Sequence, residues 1–366
     1  MKKKIFLVAG ARPNFMKIAP LMRQFKKGKD KFQVLLVHTG QHYDYEMSKI
    51  FFKNLHIPDP DIYLQIGSAS HALQTAKIMI AFEKVVLKEK PDLIMVVGDV
   101  NSTLACSLVA AKLNIKVAHV EAGLRSFDLR MPEEVNRMLT DKLSDYLFVS
   151  EESGVKNIKD EGISAKKVHF VGNVMIDTLL YYMNAIEKST ILEEKNLISK
   201  KYCVMTLHRP GNVDCKKTLA QIYAILKEVT KSIAIVYPLH PRTKKMIKKH
   251  TFLKKFNALK NLSMIAPLGY INFIKLVKES HFVITDSGGI QEETAVLNIP
   301  CLTIRENTER PITLTNGTNY LVGRNREQII KKIKLILSGK AKKSKHLNLW
   351  DGMTAKRIVK IIEQTI

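Results

Sequence analysis

Three carboxylates follow short apolar runs in the first half of this chain. Asp99 comes after Leu93–Val97, Glu121 directly after Val117–Val120, and Glu133 lies in Met131-Pro132-Glu133-Glu134, which opens a helical pattern. Grouped carboxylates perturb one another's proton affinity, and moving a proton at a carbon beside an acetal takes a base on one face and an acid on the other. Each also has a plain structural reading: Asp99 as a helix cap, Glu133 as a favourable charge in a first helical turn. That reading is weakest for Glu121, because a glutamate directly after a buried strand is awkward unless it is used. His208 and His240 follow two later apolar runs. Either suits proton transfer or a diphosphate, and either suits a satisfied loop position.

The phosphate signals lie elsewhere. Thr285-Asp286-Ser287-Gly288-Gly289 joins an apolar run to a helical pattern, so backbone N–H groups of Ser287, Gly288 and Gly289 can cradle phosphate oxygens at a helix start. A plain capped turn would carry the same residues. Glu293, one turn further, can accept two hydrogen bonds from a ribose diol or stand exposed on its helix. Gly10-Ala11-Arg12-Pro13 with Lys17, and Thr308-Glu309-Arg310-Pro311, add cations at two more loop ends.

The elements that must position these residues alternate strand, loop and helix. Strands are expected at Ile5–Val8, Val34–His38, Leu93–Val97, Val117–Val120 and Tyr146–Val149. After a Gly172-Asn173 turn and a helix over Thr178–Lys188, the cycle restarts at Cys203–Thr206, Ile233–Pro238, Leu262–Ile265, Phe282–Thr285 and Cys301–Ile304. Continuous apolar strands between helices indicate parallel sheets covered on both faces. The expectation is an α/β chain of two Rossmann-like domains, 1–172 and 173–352, facing across a cleft that holds the ligand, with the last helix in 353–366 able to dock on either.

Composition narrows the class. Of 366 residues 46% are hydrophobic and 25% charged, a folded composition long enough for two cores. No run approaches a membrane span, and the first apolar run ends at Gly10 too soon for a signal peptide, so a cytoplasmic protein is expected. Cys106, Cys203, Cys215 and Cys301 show no metal spacing; they read as reduced thiols, with no metal or cofactor implied. The net charge of +25 comes from dispersed lysines without interleaved aromatic residues, which favours a solvated surface over a nucleic-acid footprint. No GxGxxG follows the first strand, and no P-loop or GxSxG elbow exists, which weighs against dehydrogenase, kinase and serine-hydrolase chemistry.

In order along the chain, Gly10-Ala11-Arg12-Pro13 with Lys17, Gly98-Asp99, His119-Val120-Glu121-Ala122-Gly123-Leu124-Arg125, Pro132-Glu133-Glu134 with Asn136-Arg137, His208-Arg209, Asp286–Glu293 and Thr308-Glu309-Arg310-Pro311 resemble the non-hydrolysing UDP-N-acetylglucosamine 2-epimerases. The resemblance implies a GT-B-like fold, a homodimer, and interconversion of UDP-N-acetylglucosamine and UDP-N-acetylmannosamine for surface polysaccharide. The implied route is elimination of UDP and its re-addition to a 2-acetamidoglucal. It implies that Asp99, Glu121, Glu133 and His208 are catalytic, and that Arg12, Lys17, Ser287, Gly288, Gly289, Glu293 and Arg310 hold UDP. Gln41, His42, Arg209 and His240 resemble residues of a regulatory second site. Pro210-Gly211-Asn212, Ala11 and Asn14 depart from the commoner family pattern. Epimerisation of a modified sugar such as UDP-2,3-diacetamido-glucuronate, a hydrolysing epimerase and a GT-B glycosyltransferase are the alternatives.

Overall fold

Apolar runs too short to span more than one sheet layer alternate with helices along the whole chain, and they assemble into two separate parallel sheets. The computed structural model describes residues 2–40 and 57–366. The chain divides into two units, Met1–Tyr181 with Asn348–Ile366, and Tyr182–Leu347.

In the first unit β1 (Lys3–Ala9), β2 (Phe32–His38), β3 (Ile62–Tyr63), β4 (Leu93–Val97), β5 (Lys116–Ala122), β6 (Tyr146–Val149) and β7 (Val168–Phe170) form one sheet in the order β3-β2-β1-β4-β5-β6-β7. All neighbours run parallel. Side chains of Phe6, Val8, Ile94, Val96 and Val117 on one face pack with Ile78, Phe82 and Val86 of the helix His71–Glu89. Burial on both faces is why these strands carry unbroken apolar runs.

The second unit repeats the plan with β8 (Tyr202–Thr206), β9 (Ala234–Pro238), β10 (Leu262–Ile265), β11 (Phe282–Thr285), β12 (Cys301–Thr303) and β13 (Asn319–Leu321), in the order β10-β9-β8-β11-β12-β13. Its core joins Met205, Ile235, Ile284 and Leu302 to helix residues such as Leu226 and Ile333. Strand order reverses between β1 and β4 in one sheet and between β8 and β11 in the other, the switch points beyond which parallel sheets bind ligands.

Three strands escape the periodicity reading, and all three are edges. β3 and β7 are only half-buried and β13 nearly so, so none needs a continuous apolar run. The helix expected over Thr178–Lys188 is divided, into Val174–Tyr181 and Met183–Glu187, with Tyr182 between them. The first unit therefore extends to Tyr181 and not to 172, because Val174–Tyr181 packs on the helix Arg12–Lys27. The chain returns to that unit at 348, before the expected 353. The closing helix Thr354–Thr365 docks there, its first N–H groups, from Thr354 and Ala355, donating to Asp177 at 3.1 and 2.7 Å. Asp177 thus satisfies the orphan donors of a helix almost two hundred residues away.

Candidate functional site

At the switch point of the first unit, the loop after β1 is tied by Asn14. Its Oδ1 accepts from the N–H groups of Gly10 and Ala11, both at 2.9 Å, and its amide donates to the Val97 carbonyl at 3.2 Å. This asparagine links the ends of β1 and β4. One turn on, the Lys17 ammonium forms a buried ion pair with Glu121. Glu121 is the next-to-last residue of β5, at φ 77°, where the pairing with β6 slips between Val120 and Ala122. A glutamate in the left-handed region costs about 1–3 kcal/mol, and such strain concentrates at functional positions. Gly98, at φ 69°, lies against this pair: a methyl group there would stand 2.8 Å from Lys17 Nζ and 3.4 Å from Glu121 Oε2. The close approach requires glycine.

Asp99 follows on the next residue. Its carboxylate accepts from Arg137 Nη1 at 2.7 Å, while Nη2 of the same buried guanidinium donates to Glu134 at 2.7 Å. Glu134 also accepts from the Ser126 N–H and hydroxyl at 2.9 and 2.8 Å and from Phe127 N–H at 2.9 Å. Burial pushes its carboxyl up, but the Ser126 N–H and Arg137 hold it below the ordinary range. Of the adjacent glutamates, Glu134 therefore builds the loop, and Glu133 stands half-buried in the first turn of the helix Pro132–Leu143.

The second unit gathers its own set. His208 Nδ1 lies 2.9 Å from Asp286 Oδ1, and Asp286 also accepts from the backbone N–H groups of His208 and Arg209 and from Asn212 Nδ2. Burial raises the Asp286 carboxyl, but His208 and Asn212 with the Arg209 N–H bring it below its usual value. A carboxylate on Nδ1 fixes the imidazole so that Nε2 faces outward, the arrangement of an oriented acid, base or phosphate donor. The His240 ring stands 5.3 Å away, its Nδ1 accepting from Arg242 N–H at the start of the helix Pro241–Lys249. Arg209 Nε donates to the Asp286 carbonyl at 3.1 Å.

Ser287 immediately precedes the helix Gly288–Leu297, whose first turn holds Gly288 and Gly289. The Arg310 guanidinium lies over Gly288, where a methyl group would meet Nη1 at 2.5 Å. It is held by Glu292 at 2.6 Å and Glu309 at 2.5 Å, and Glu309 in turn pairs with Arg305 at 2.7 Å. A helix start beneath a fixed guanidinium suits an anion such as phosphate. Glu293, which could have stood exposed, is buried beside Tyr270. Burial pushes its carboxyl up to about 8, with Tyr270 lowering it and Glu292 raising it.

The sequence marks Ser287, Gly288 and Gly289 as the phosphate cradle and gives no separate role to Asp286, Asp141, Glu134, Glu309 or Arg305. The structure puts Asp286 under His208, and nothing in the local spacing signals that choice. Arg12 opens its helix at the switch point; Gln41 and His42 lie outside the described residues.

The chain matches the family model for UDP-N-acetylglucosamine 2-epimerase over residues 25–363. A UDP-N-acetylglucosamine 2-epimerase homolog of Methanococcus maripaludis is 44% identical over 361 residues, covering 98% of this chain and 99% of its own. The crystal structure of Methanocaldococcus jannaschii UDP-GlcNAc 2-epimerase in complex with UDP-GlcNAc and UDP is similar at TM-score 0.93 and 42% identity, covering 99% of each chain. A UDP-2,3-diacetamido-2,3-dideoxy-D-glucuronate 2-epimerase of Pseudomonas aeruginosa is 40% identical over 330 residues, covering 89% of this chain and 90% of its own.

Proposed function

The chain belongs to the UDP-N-acetylglucosamine 2-epimerase family, and from that premise we propose that it interconverts UDP-N-acetylglucosamine and UDP-N-acetylmannosamine. One observation carries the reading at the level of chemistry: a buried, backbone-strained Glu121 paired with Lys17 at a sheet switch point.

In this reading a carboxylate takes the C2 proton while UDP leaves C1 from the opposite face, giving a 2-acetamidoglucal. UDP then adds back to C1 as a proton reaches the other face of C2. Glu121, Asp99 and Glu133 supply the acid and base groups, and His208 serves near the diphosphate with its ring set by Asp286. Arg12, Lys17, Arg310 and the N–H groups of Ser287, Gly288 and Gly289 hold the UDP, whose leaving charge they offset. Glu293 accepts from the ribose diol. Gln41, His42, Arg209 and His240 form the regulatory second site. The enzyme works in the cytoplasm on a precursor of surface polysaccharide.

Homodimer formation belongs to the same reading. Leu73, Ile80 and Leu87 recur every seven residues along the helix His71–Glu89, 51%, 60% and 57% exposed, and Leu129 and Val135 line a hollow with Ala72 and Met79 of the same helix. Exposed apolar side chains repeated along one helix support a protein contact face.

The test is an NMR time course with UDP-N-acetylglucosamine alone in D2O. Product carrying deuterium at C2, without stoichiometric free UDP, is expected. No exchange at C2 refutes epimerisation, and accumulating UDP assigns the hydrolysing reaction; turnover that waits for an acceptor assigns glycosyl transfer. The 40% identity to the diacetamido-glucuronate enzyme makes that sugar the second substrate to run in parallel.

A further inference from the structure

His119 is fully buried in β5, two residues before Glu121. Its Nε2 lies 2.7 Å from the Gly98 carbonyl oxygen and its Nδ1 lies 2.6 Å from Asp141 Oδ1. A carbonyl can only accept, so Nε2 carries a proton. The other oxygen of Asp141 accepts from Gly123 N–H at 3.1 Å and from Arg125 at 2.7 Å. Surrounded by donors, this carboxyl is an acceptor on both oxygens. Burial raises it, but His119 and Arg125 hold it below the ordinary range. Nδ1 must then bring a proton as well. Arg125 continues into the partly exposed Glu161 at 2.6 Å, so a protonated His119 completes an alternating, neutral row of four charges, whereas a neutral ring would leave the row net negative.

The row ends at both sides of Glu121. Gly98 donates its N–H to the Val120 carbonyl at 3.1 Å and offers its carbonyl to His119, so the residue that lies against the Lys17–Glu121 pair, and that precedes Asp99, is fixed at both backbone groups. Gly123, two residues past Glu121, is fixed by Asp141 at φ 80°. The left-handed turn carrying Glu121 is thus gripped before and after.

We propose that His119, held as an imidazolium by Asp141, is a positioning residue for the epimerase reaction, setting Glu121 and Asp99 through the backbone of Gly98 and Gly123. It touches no reacting atom. The proposal rests on the function proposed above and adds to it a second layer of residues that decides turnover more than substrate affinity.

Two variants separate the contacts. In His119→Asn the amide nitrogen falls near Nδ1 and keeps Asp141 while losing Gly98; in His119→Gln it falls near Nε2 and keeps the donor to Gly98. The Asn variant should lose about tenfold or more in kcat with KM changed by less than about threefold, and Gln should recover most of the rate. Wild-type kcat in His119→Asn, or a Gln variant no better than Asn, overturns the proposal. Should neither variant fold, 15N NMR of the wild-type protein decides: both His119 nitrogens with attached protons at neutral pH support it, and one bare nitrogen overturns it. If the wild-type protein does not epimerise at all, the functional reading fails separately, and the NMR result still reports the state of the ring.

Discussion

Lys17 and Glu121, separated by 104 residues, are both buried and lie in one ion pair beside Gly98. Buried pairs of this kind add little net stability, yet removing one partner strands the other charge. Lys17→Met is therefore expected to destabilise the first unit by about 3–5 kcal/mol in chemical denaturation, and adding Glu121→Gln should recover much of that loss. Glu121→Gln alone should cost at least about 100-fold in kcat while UDP affinity, by calorimetry, changes little. Unchanged turnover would remove Glu121 from the chemistry.

Asp286→Asn leaves the shape of the site but takes away the charge that orients His208. A fall in kcat of about 10–100-fold is expected, larger than any change in KM. The same carboxyl sits below its usual proton affinity in the folded state, so it contributes stability at neutral pH that is lost as pH falls through the acid range. Acid unfolding of the Asn variant should begin from a lower neutral-pH stability and show a shallower decline. A kcat equal to wild type would mean that His208 needs no such orientation.

Gly288→Ala places a methyl group where Arg310 now lies. The guanidinium can move only by giving up Glu292 or Glu309. We expect KM for the UDP-sugar to rise about tenfold with kcat little altered, the signature of weakened binding common to ground and transition states. Steady-state kinetics with the fold checked by circular dichroism is sufficient.

Glu293 titrates at about 8 in the folded protein and near 4.5 when unfolded. Between those values the native state holds one more proton, so stability is greatest below the lower value and falls as pH rises, by about 1.4 kcal/mol per unit. Glu293→Gln should flatten the stability profile by one proton across this window and raise stability at pH 8. A profile that keeps its slope would contradict the assignment.

Ile80→Asp with Leu87→Asp puts two charges on the apolar stripe of the helix His71–Glu89. Sedimentation should show the wild-type chain as a dimer and the double variant as a monomer. A wild-type monomer at micromolar concentration removes the dimer from the reading.

The interior strands were legible because burial on both faces demands unbroken apolar runs; Leu93–Val97, Tyr146–Val149 and Phe282–Thr285 coincide with the expected spans, as does one edge strand, Leu262–Ile265. The edges β3, β7 and β13 were not, since half of each faces away from the core. Site chemistry divides in the same way. Residue types at strand ends marked Glu121 and the Ser287-Gly288-Gly289 turn as candidates. Which carboxylate serves as support was invisible, because Asp286 and Asp141 act on partners well separated in sequence, and even for Glu134, whose partners are near, no local spacing records a direction of approach.

Because Asp177 caps a helix that begins at Thr354, the second unit is in effect an insertion within the first. On the ribosome, residues 182–347 emerge complete while the domain begun before them still lacks its closing helix. The unit begun first is finished after the second, and it must wait with the docking face of Arg12–Lys27 uncovered until Thr354–Thr365 leaves the tunnel.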